Sequence, residues 1–347
     1  MIVPGFLLRI AATKGDSMNQ IRRTATGPLV VILAILTGCD PVDPTPPSRL
    51  PAGPVPEPGY IAFVAAGPED PFWPALKASA QGYAALRPNL DVRFAVPDGS
   101  RPEDQLHLLK SLSDGKMRGL CIHVTDPEFL RPVMTDLHAQ GVRLVSMIRQ
   151  GPEPVTMAHA GFDEEAIGRL LAQMTVQIVG AEGSVMLLHA GNARSDYLQR
   201  RMGFEQEIVH HPGIDLLASI DCEANPAQAR RIVGERSERF PRLSAWVALE
   251  PWPIRGGLPP ESAFPPGLGL ITFGGWPEHW PLVRNGVIRG LVAPDLSQLG
   301  AKALEFCWVA IRQPAPLQSR YAAPLRQVNS RSLEEYRQDW LKWVRTD

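Results

Sequence analysis

Asp70, Pro71, Phe72 and Trp73 follow one another just after a short apolar run, 61–65, and just ahead of a segment with helical spacing. One carboxylate beside two flat rings puts hydrogen-bond acceptors next to apolar faces. That combination suits a small molecule with an apolar face and a polar rim, as sugars have. The two rings would serve equally well as core residues of the helix that begins there, and spacing alone does not separate these readings. For covalent chemistry the chain offers little. It has no G-x-S-x-G nucleophile elbow, no H-E-x-x-H and no phosphate-cradling glycine loop. His210 and His211 precede Pro212-Gly213, a place where histidines commonly cap a helix end. Cys39, Cys121, Cys222 and Cys307 stand far apart, with no CxxC and no histidine at zinc spacing. Neither catalysis nor a metal is expected, and no cofactor is implied.

The elements that would position such a site need room, and 347 residues allow two domains of ordinary size. A formal net charge of −1 without any Lys/Arg block gives no electrostatic footprint for nucleic acid. Near the start, Arg22-Arg23 and the apolar run 28–36 read as an export signal, with Met18 an alternative first residue. The run is too short to span a bilayer. Leu36-Thr37-Gly38-Cys39 resembles the bacterial lipobox, which implies that residues 1–39 are removed up to a lipidated Cys39. Residues 40–58 are dominated by proline and hold hardly any large apolar side chain, the composition of an extended, semi-rigid spacer. Cys121, Cys222 and Cys307 read mostly as buried small hydrophobes, with one disulfide among them the alternative.

From residue 60 onward, strand-like and helical patterns alternate. Strand-like runs are expected at 60–65, 92–96, 119–124, 143–147, 184–188, 215–220, 244–249 and 268–273. Amphipathic stretches lie at 72–87, 102–114, 128–140, 164–180, 196–211, 226–240, 278–285 and 297–312, with a last helix from about 332. Alternation of this kind predicts parallel sheets covered on both faces, and so many strands divide better between two α/β lobes than within one sheet. Six prolines between 251 and 266 exclude a regular helix there.

The Asp70-Pro71-Phe72-Trp73 loop, taken with the segments below, resembles the type I periplasmic binding proteins, the ribose- and galactose-binding group of transport receptors. The resemblance runs from about residue 60 to 335 and rests on the order of many weak motifs. It implies two Rossmann-like lobes with parallel sheets flanked by helices, joined by a three-segment hinge. The implied boundaries are 59–160 plus 295–322 for the N-terminal lobe, 161–294 plus 323–330 for the C-terminal lobe, and 331–347 for a final helix. The crossings would fall near 159–163, 293–295 and 321–328. In this reading Phe72 and Trp73 sandwich the ligand and Asp70 accepts from its hydroxyls. Val145-Ser-Met-Ile-Arg149-Gln150 stands where the relatives read Thr-Leu-Asp-Arg-Gln, so Arg149 contacts ligand while Ile148 replaces a carboxylate. Arg200 leads the Arg-x-x-Gly-Phe of Arg200 to Phe204 and reaches the ligand, whereas Arg194 and Arg201 stay solvated. Glu250 replaces an Asn, Gly274 an Asp, and Pro294 a Gln. Asp126-Pro127 reads as a helix cap. Trp252 either lines the cleft or covers the sheet.

These features imply a lipid-anchored extracytoplasmic receptor for a sugar or sugar-derived molecule, less hydroxylated than ribose or acidic, that serves the membrane permease of an ABC importer. The alternative is a sensory protein signalling to a membrane kinase or chemoreceptor. A glycosidase on the same frame, using Asp70 and Glu250, is more distant. A lactose-repressor-like regulator is excluded, because an export signal and a proline spacer stand where its helix-turn-helix would be.

Overall fold

The structure is a computed structural model that describes residues 59–191, 194–255, 264–265, 267–313 and 319–345. All of these lie in one compact unit, Ala52–Asp347. The export signal, Cys39 and the proline-rich spacer lie outside the described residues, as does most of the loop after Arg255.

Chain order begins with β1 (Tyr60–Val64), α1 (Trp73–Ala85), β2 (Val92–Ala95), α2 (Pro102–Leu112), β3 (Met117–His123), α3 (Pro127–Ala139), β4 (Arg143–Ile148) and β5 (Thr156–Gly161). It continues with α4 (Glu164–Val179), β6 (Gly183–His189), α5 (Ser195–Ile208), β7 (Ile214–Asp221), α6 (Pro226–Arg239), β8 (Ala245–Ala248) and β9 (Gly269–Phe273). The last elements are α7 (Trp280–Arg284), β10 (Ile288–Pro294), α8 (Leu299–Arg312), β11 (Ser319–Ala322), β12 (Leu325–Val328) and α9 (Leu333–Trp343). The first sheet has the order β11-β5-β4-β3-β1-β2 and the second β12-β10-β9-β8-β6-β7. Every pairing is parallel except that of β10 with β12. The fold is thus two α/β sheets of mainly parallel strands flanked by helices.

Strand β1 shows why the apolar runs are continuous. Ile61 and Phe63 pack on one face with Leu76, while Tyr60, Ala62 and Val64 pack on the other with Leu109 and Leu120. Both faces are covered, so alternate polar residues have no place. Edge strand β7 alternates instead, and its Leu217 is exposed. Helix starts follow the capping residues. Asp126 accepts from the N–H groups of Glu128 and Phe129, each at 3.0 Å, with Pro127 in the first turn of α3. Asn225 and Asp163 cap α6 and α4 in the same way.

All eight expected strand-like runs form strands. Strands β5, β10, β11 and β12 lie outside them, for local reasons. β5 carries His159, whose Nδ1 meets the Ser146 hydroxyl at 2.9 Å and whose pKa burial lowers to about 4, so a neutral imidazole sits where an apolar residue would signal a strand. β11 and β12 are short and half exposed. The stretch 278–285 is also less regular than its pattern suggests, a 3-10 turn at Pro277–His279 followed by the single short helix α7. Pro277 and Pro281 each withhold a backbone donor there.

The chain changes sheet between β5 and α4, between β10 and α8, and between β11 and β12. Arg326 on β12 ties these connections together, donating to Asp295 at 3.0 Å and to Asp339 of α9 at 2.7 Å. Cys121, Cys222 and Cys307 are buried. Among the described residues no helix is long and apolar enough to cross a membrane.

Candidate functional site

A cavity of about 1380 Å³ opens where the carboxyl ends of both sheets face each other. Loops leaving β1, β3 and β4 supply one wall, and those leaving β5, β6, β8 and β9 the other. This is the crevice that open parallel sheets leave for ligands. Trp340, Leu341 and Val344 at the end of α9 add a third, apolar side.

On the first wall, the loop after β1 is built around Asp70. Its oxygens accept from the N–H groups of Ala66 (3.1 Å) and Phe72 (3.0 Å), and one of them meets Nδ1 of His123 at 2.7 Å. Burial works against this carboxylate, but His123 and the two N–H groups outweigh it and hold its pKa low. Gln105 of α2 fastens the neighbouring strand ends by donating to the carbonyls of Ala65 and His123 and accepting from Thr125. The loop so held presents Phe72, whose ring meets those of His123, Phe162 and Trp276 at 5.9, 5.7 and 5.2 Å. At the end of β4, Ile148 has φ of +60° and lines the cavity beside Arg149. A β-branched residue in the left-handed region costs about 1–3 kcal/mol and is held there by its surroundings.

The second wall depends on a close helix crossing. A Cβ on Gly203 would stand 2.1 Å from the carbonyl oxygen of Glu165, and one on Gly168 2.0 Å from that of Arg200. Only glycine lets α4 and α5 approach so far, and this places Arg200 beside the first turn of α4. Its Nε donates to Glu164 at 2.9 Å, and its Nη1 donates to the Leu249 carbonyl at 2.7 Å and to Glu250 at 2.5 Å. The guanidinium lies over the Phe273 ring at 4.4 Å. Burial opposes the Arg200 charge, yet Glu164 and Glu250 outweigh it and keep the group ionised. Arg255 stands 3.7 Å from the other oxygen of Glu250. Burial pushes Glu164 up to about 7, against the pull of Arg200. Beside this cluster, Arg194 grips Asp196 with two nitrogens, donates to the Tyr197 hydroxyl, and lies 3.7 Å over that ring.

A pH dependence follows from Glu164. Its folded pKa of about 7 exceeds its ordinary 4.5, so between these values the folded chain keeps a proton that the unfolded chain has lost. The stabilisation is complete below 4.5 and is lost as pH rises through 7. Glu164→Gln removes it. The stability advantage of wild type over this variant should therefore shrink from pH 4.5 to 7.5 in urea titrations. A constant or growing difference would mean that Glu164 is ionised throughout.

Of the residues singled out in the sequence, Asp70, Phe72, Arg149, Arg200 and Glu250 all line this cavity. Trp73 does not. Its ring packs on Phe63 at 5.8 Å and Phe94 at 6.3 Å, so the two adjacent rings point to different tasks because α1 starts between them. Asp70 also departs from expectation, since its side chain is 0 % exposed and its acceptors are used to shape the loop and orient His123. Arg200 and Glu250 satisfy each other, which leaves little of either for a ligand. Arg194, expected in solvent, lines the cleft. Trp252 covers the second sheet, fully buried against Tyr197. His123, Glu164, Asp196, Tyr197, Phe162 and Trp276 were not legible as site residues. Glu164 and Asp196 had one signal, their place in the first turn of a helix that follows a strand. Among the described residues no group of three His, Cys, Asp or Glu side chains could hold a metal.

Comparison with known proteins agrees with this architecture. The family described as "Periplasmic binding protein domain" matches residues 61–313. The ribose import binding protein RbsB of Escherichia coli is 22% identical over 270 residues, covering 77% of this chain and 90% of that one. Among solved structures, a periplasmic ribose ABC transporter protein from Conexibacter woesei superposes with a TM-score of 0.72 at 16% identity, covering 83% of this chain and 98% of the other. The arabinose binding protein AraP from Geobacillus stearothermophilus gives a TM-score of 0.70 at 16% identity, with 81% and 99% covered.

Proposed function

Since this chain belongs to the periplasmic binding protein domain family, we propose that it is an extracytoplasmic receptor, not an enzyme, for a sugar or sugar-derived molecule. It presents that ligand to the membrane permease of an ABC importer. The observation that carries this reading is the cleft itself. Aromatic rings and fixed ion pairs from both sheets converge there, the lining expected of a small-ligand site with few placed polar groups. The names of similar proteins, which include ribose and arabinose binding proteins, support the ligand class. A thermal-shift screen of neutral sugars, sugar acids and polyols, followed by calorimetric titration of each hit, tests it. At least one sugar-related compound should bind saturably with one site per chain. A screen in which none does so would overturn the reading.

We assign residues 59–160 plus 295–322 to one lobe and 161–294 plus 323–330 to the other, with 331–347 as the closing helix. Sheet membership supports this division, because it changes at the three connections named above. Ligand seated between hinged lobes favours their closed arrangement. Small-angle scattering should then give a smaller radius of gyration with a bound hit, and an unchanged radius at saturation would speak for one rigid body. The lipobox-like Leu36–Cys39 supports a diacylated Cys39 as the mature N-terminus, holding the receptor at a membrane surface. Mass spectrometry of membrane-extracted protein should find the lipid on Cys39. An unmodified cysteine there would exclude the anchor.

A further inference from the structure

Of the four arginines that line the cleft, Arg194, Arg200 and Arg255 are ion-paired. Asp70 is held by His123, Asp196 by Arg194, and Glu164 and Glu250 by Arg200. Arg149 has no ion pair and no hydrogen bond among the described residues, and its Nε is buried without an acceptor. The carboxylates that act most on its charge are Asp196 and Asp126. Both are committed elsewhere, Asp126 to the first turn of α3 and Asp196 to the Arg194 guanidinium. Arg194, from the opposite wall, adds a like charge instead of a partner. A buried donor left unpaired is uncommon in folded proteins, and this one belongs to a side chain that lines the cleft, where a ligand can supply the acceptor.

We propose that the ligand carries a single carboxylate and that Arg149 receives it, with Arg194 facing the same group from across the cleft. This rests on the receptor reading above and narrows it from sugars at large to sugar acids. A hydroxyl would satisfy one N–H but leave the charge unmatched. A carboxylate offers two acceptors to the guanidinium fork and one negative charge to one unpaired cation. A phosphate dianion fits less well, because Glu250 and Glu164 already bring negative charge to the neighbouring cluster. The apolar remainder of the ligand has Ile148 and the Phe72 ring beside it.

Titration calorimetry of the purified mature protein against matched pairs tests this: glucose with glucuronate and gluconate, galactose with galacturonate, and ribose with ribonate, plus glucose 6-phosphate. At least one carboxylate should bind ten-fold or more tightly than its neutral parent. Arg149→Gln should erase that preference while leaving the melting temperature nearly unchanged. Neutral sugars binding as tightly as their acids would overturn the carboxylate assignment and leave the receptor intact, as would tighter binding of the phosphate. An acid preference undiminished in Arg149→Gln would overturn the role of Arg149. If no compound of either kind binds, the proposal and the receptor reading fall together.

Discussion

Arg200→Met should destabilise the fold by about 3–5 kcal/mol, the range found when one partner of a buried ion pair is removed. The side chain is 3 % exposed and lies between Glu164 and Glu250, which are themselves largely shielded. Methionine fills much of the volume but donates no hydrogen bond, so two carboxylates and the Leu249 carbonyl lose their donor together. The stacking over Phe273 changes as well. Urea unfolding at pH 7 measures the loss. Without the cation Glu164 holds its proton still more firmly than in the wild type, and the unfolded chain does not above 4.5, so part of the stability should return at pH 5. Adding Glu250→Gln to Arg200→Met should also recover part of it, because the two sites share one network. A loss below about 1 kcal/mol would show that Arg200 is a weakly coupled group such as surface ion pairs contain. It would then be free to meet a ligand, as its motif first suggested.

Truncating the two neighbouring rings should give opposite results. Trp73→Ala should lower stability by about 2–3 kcal/mol, somewhat less than for a fully buried ring, because part of this indole faces solvent. Its neighbours, Phe63 and Phe94, belong to the first sheet and not to the cleft, so affinity for any hit from the screen should stay within two-fold. Phe72→Ala should instead weaken binding at least ten-fold. It removes the ring that touches His123 on one side and Trp276 on the other, and so removes the contact between the two walls. Calorimetric titration and urea unfolding on both variants separate the roles. Equal losses of affinity would return both rings to the cleft. Normal binding by Phe72→Ala would place the ligand away from the loop after β1.

The sequence by itself determined the alternation of strands and helices, because both faces of these sheets are covered and an apolar run is then unavoidable. It determined the start of α3, where the cap at Asp126-Pro127 is a local matter. It also located the loop from Asp70 to Trp73 at a strand end, the position where such folds bind ligands. Tertiary structure alone decided what each side chain there does. Phe72 and Trp73 are adjacent and chemically alike, and only the start of α1 sends one to the cleft and the other to the sheet. Asp70 and Glu250 look like free acceptors in a linear reading, but each meets its partner across long separations, His123 in one case and Arg200 in the other. Arg149 and Arg200 likewise read as an equivalent pair. Glycines at 168 and 203 let α4 and α5 close on one another and bring Glu164 to Arg200, the loop after β8 adds Glu250, and the acids nearest Arg149 are already engaged. Pairing between residues distant in sequence leaves no local pattern, so which arginine stays unmatched is a property of the fold.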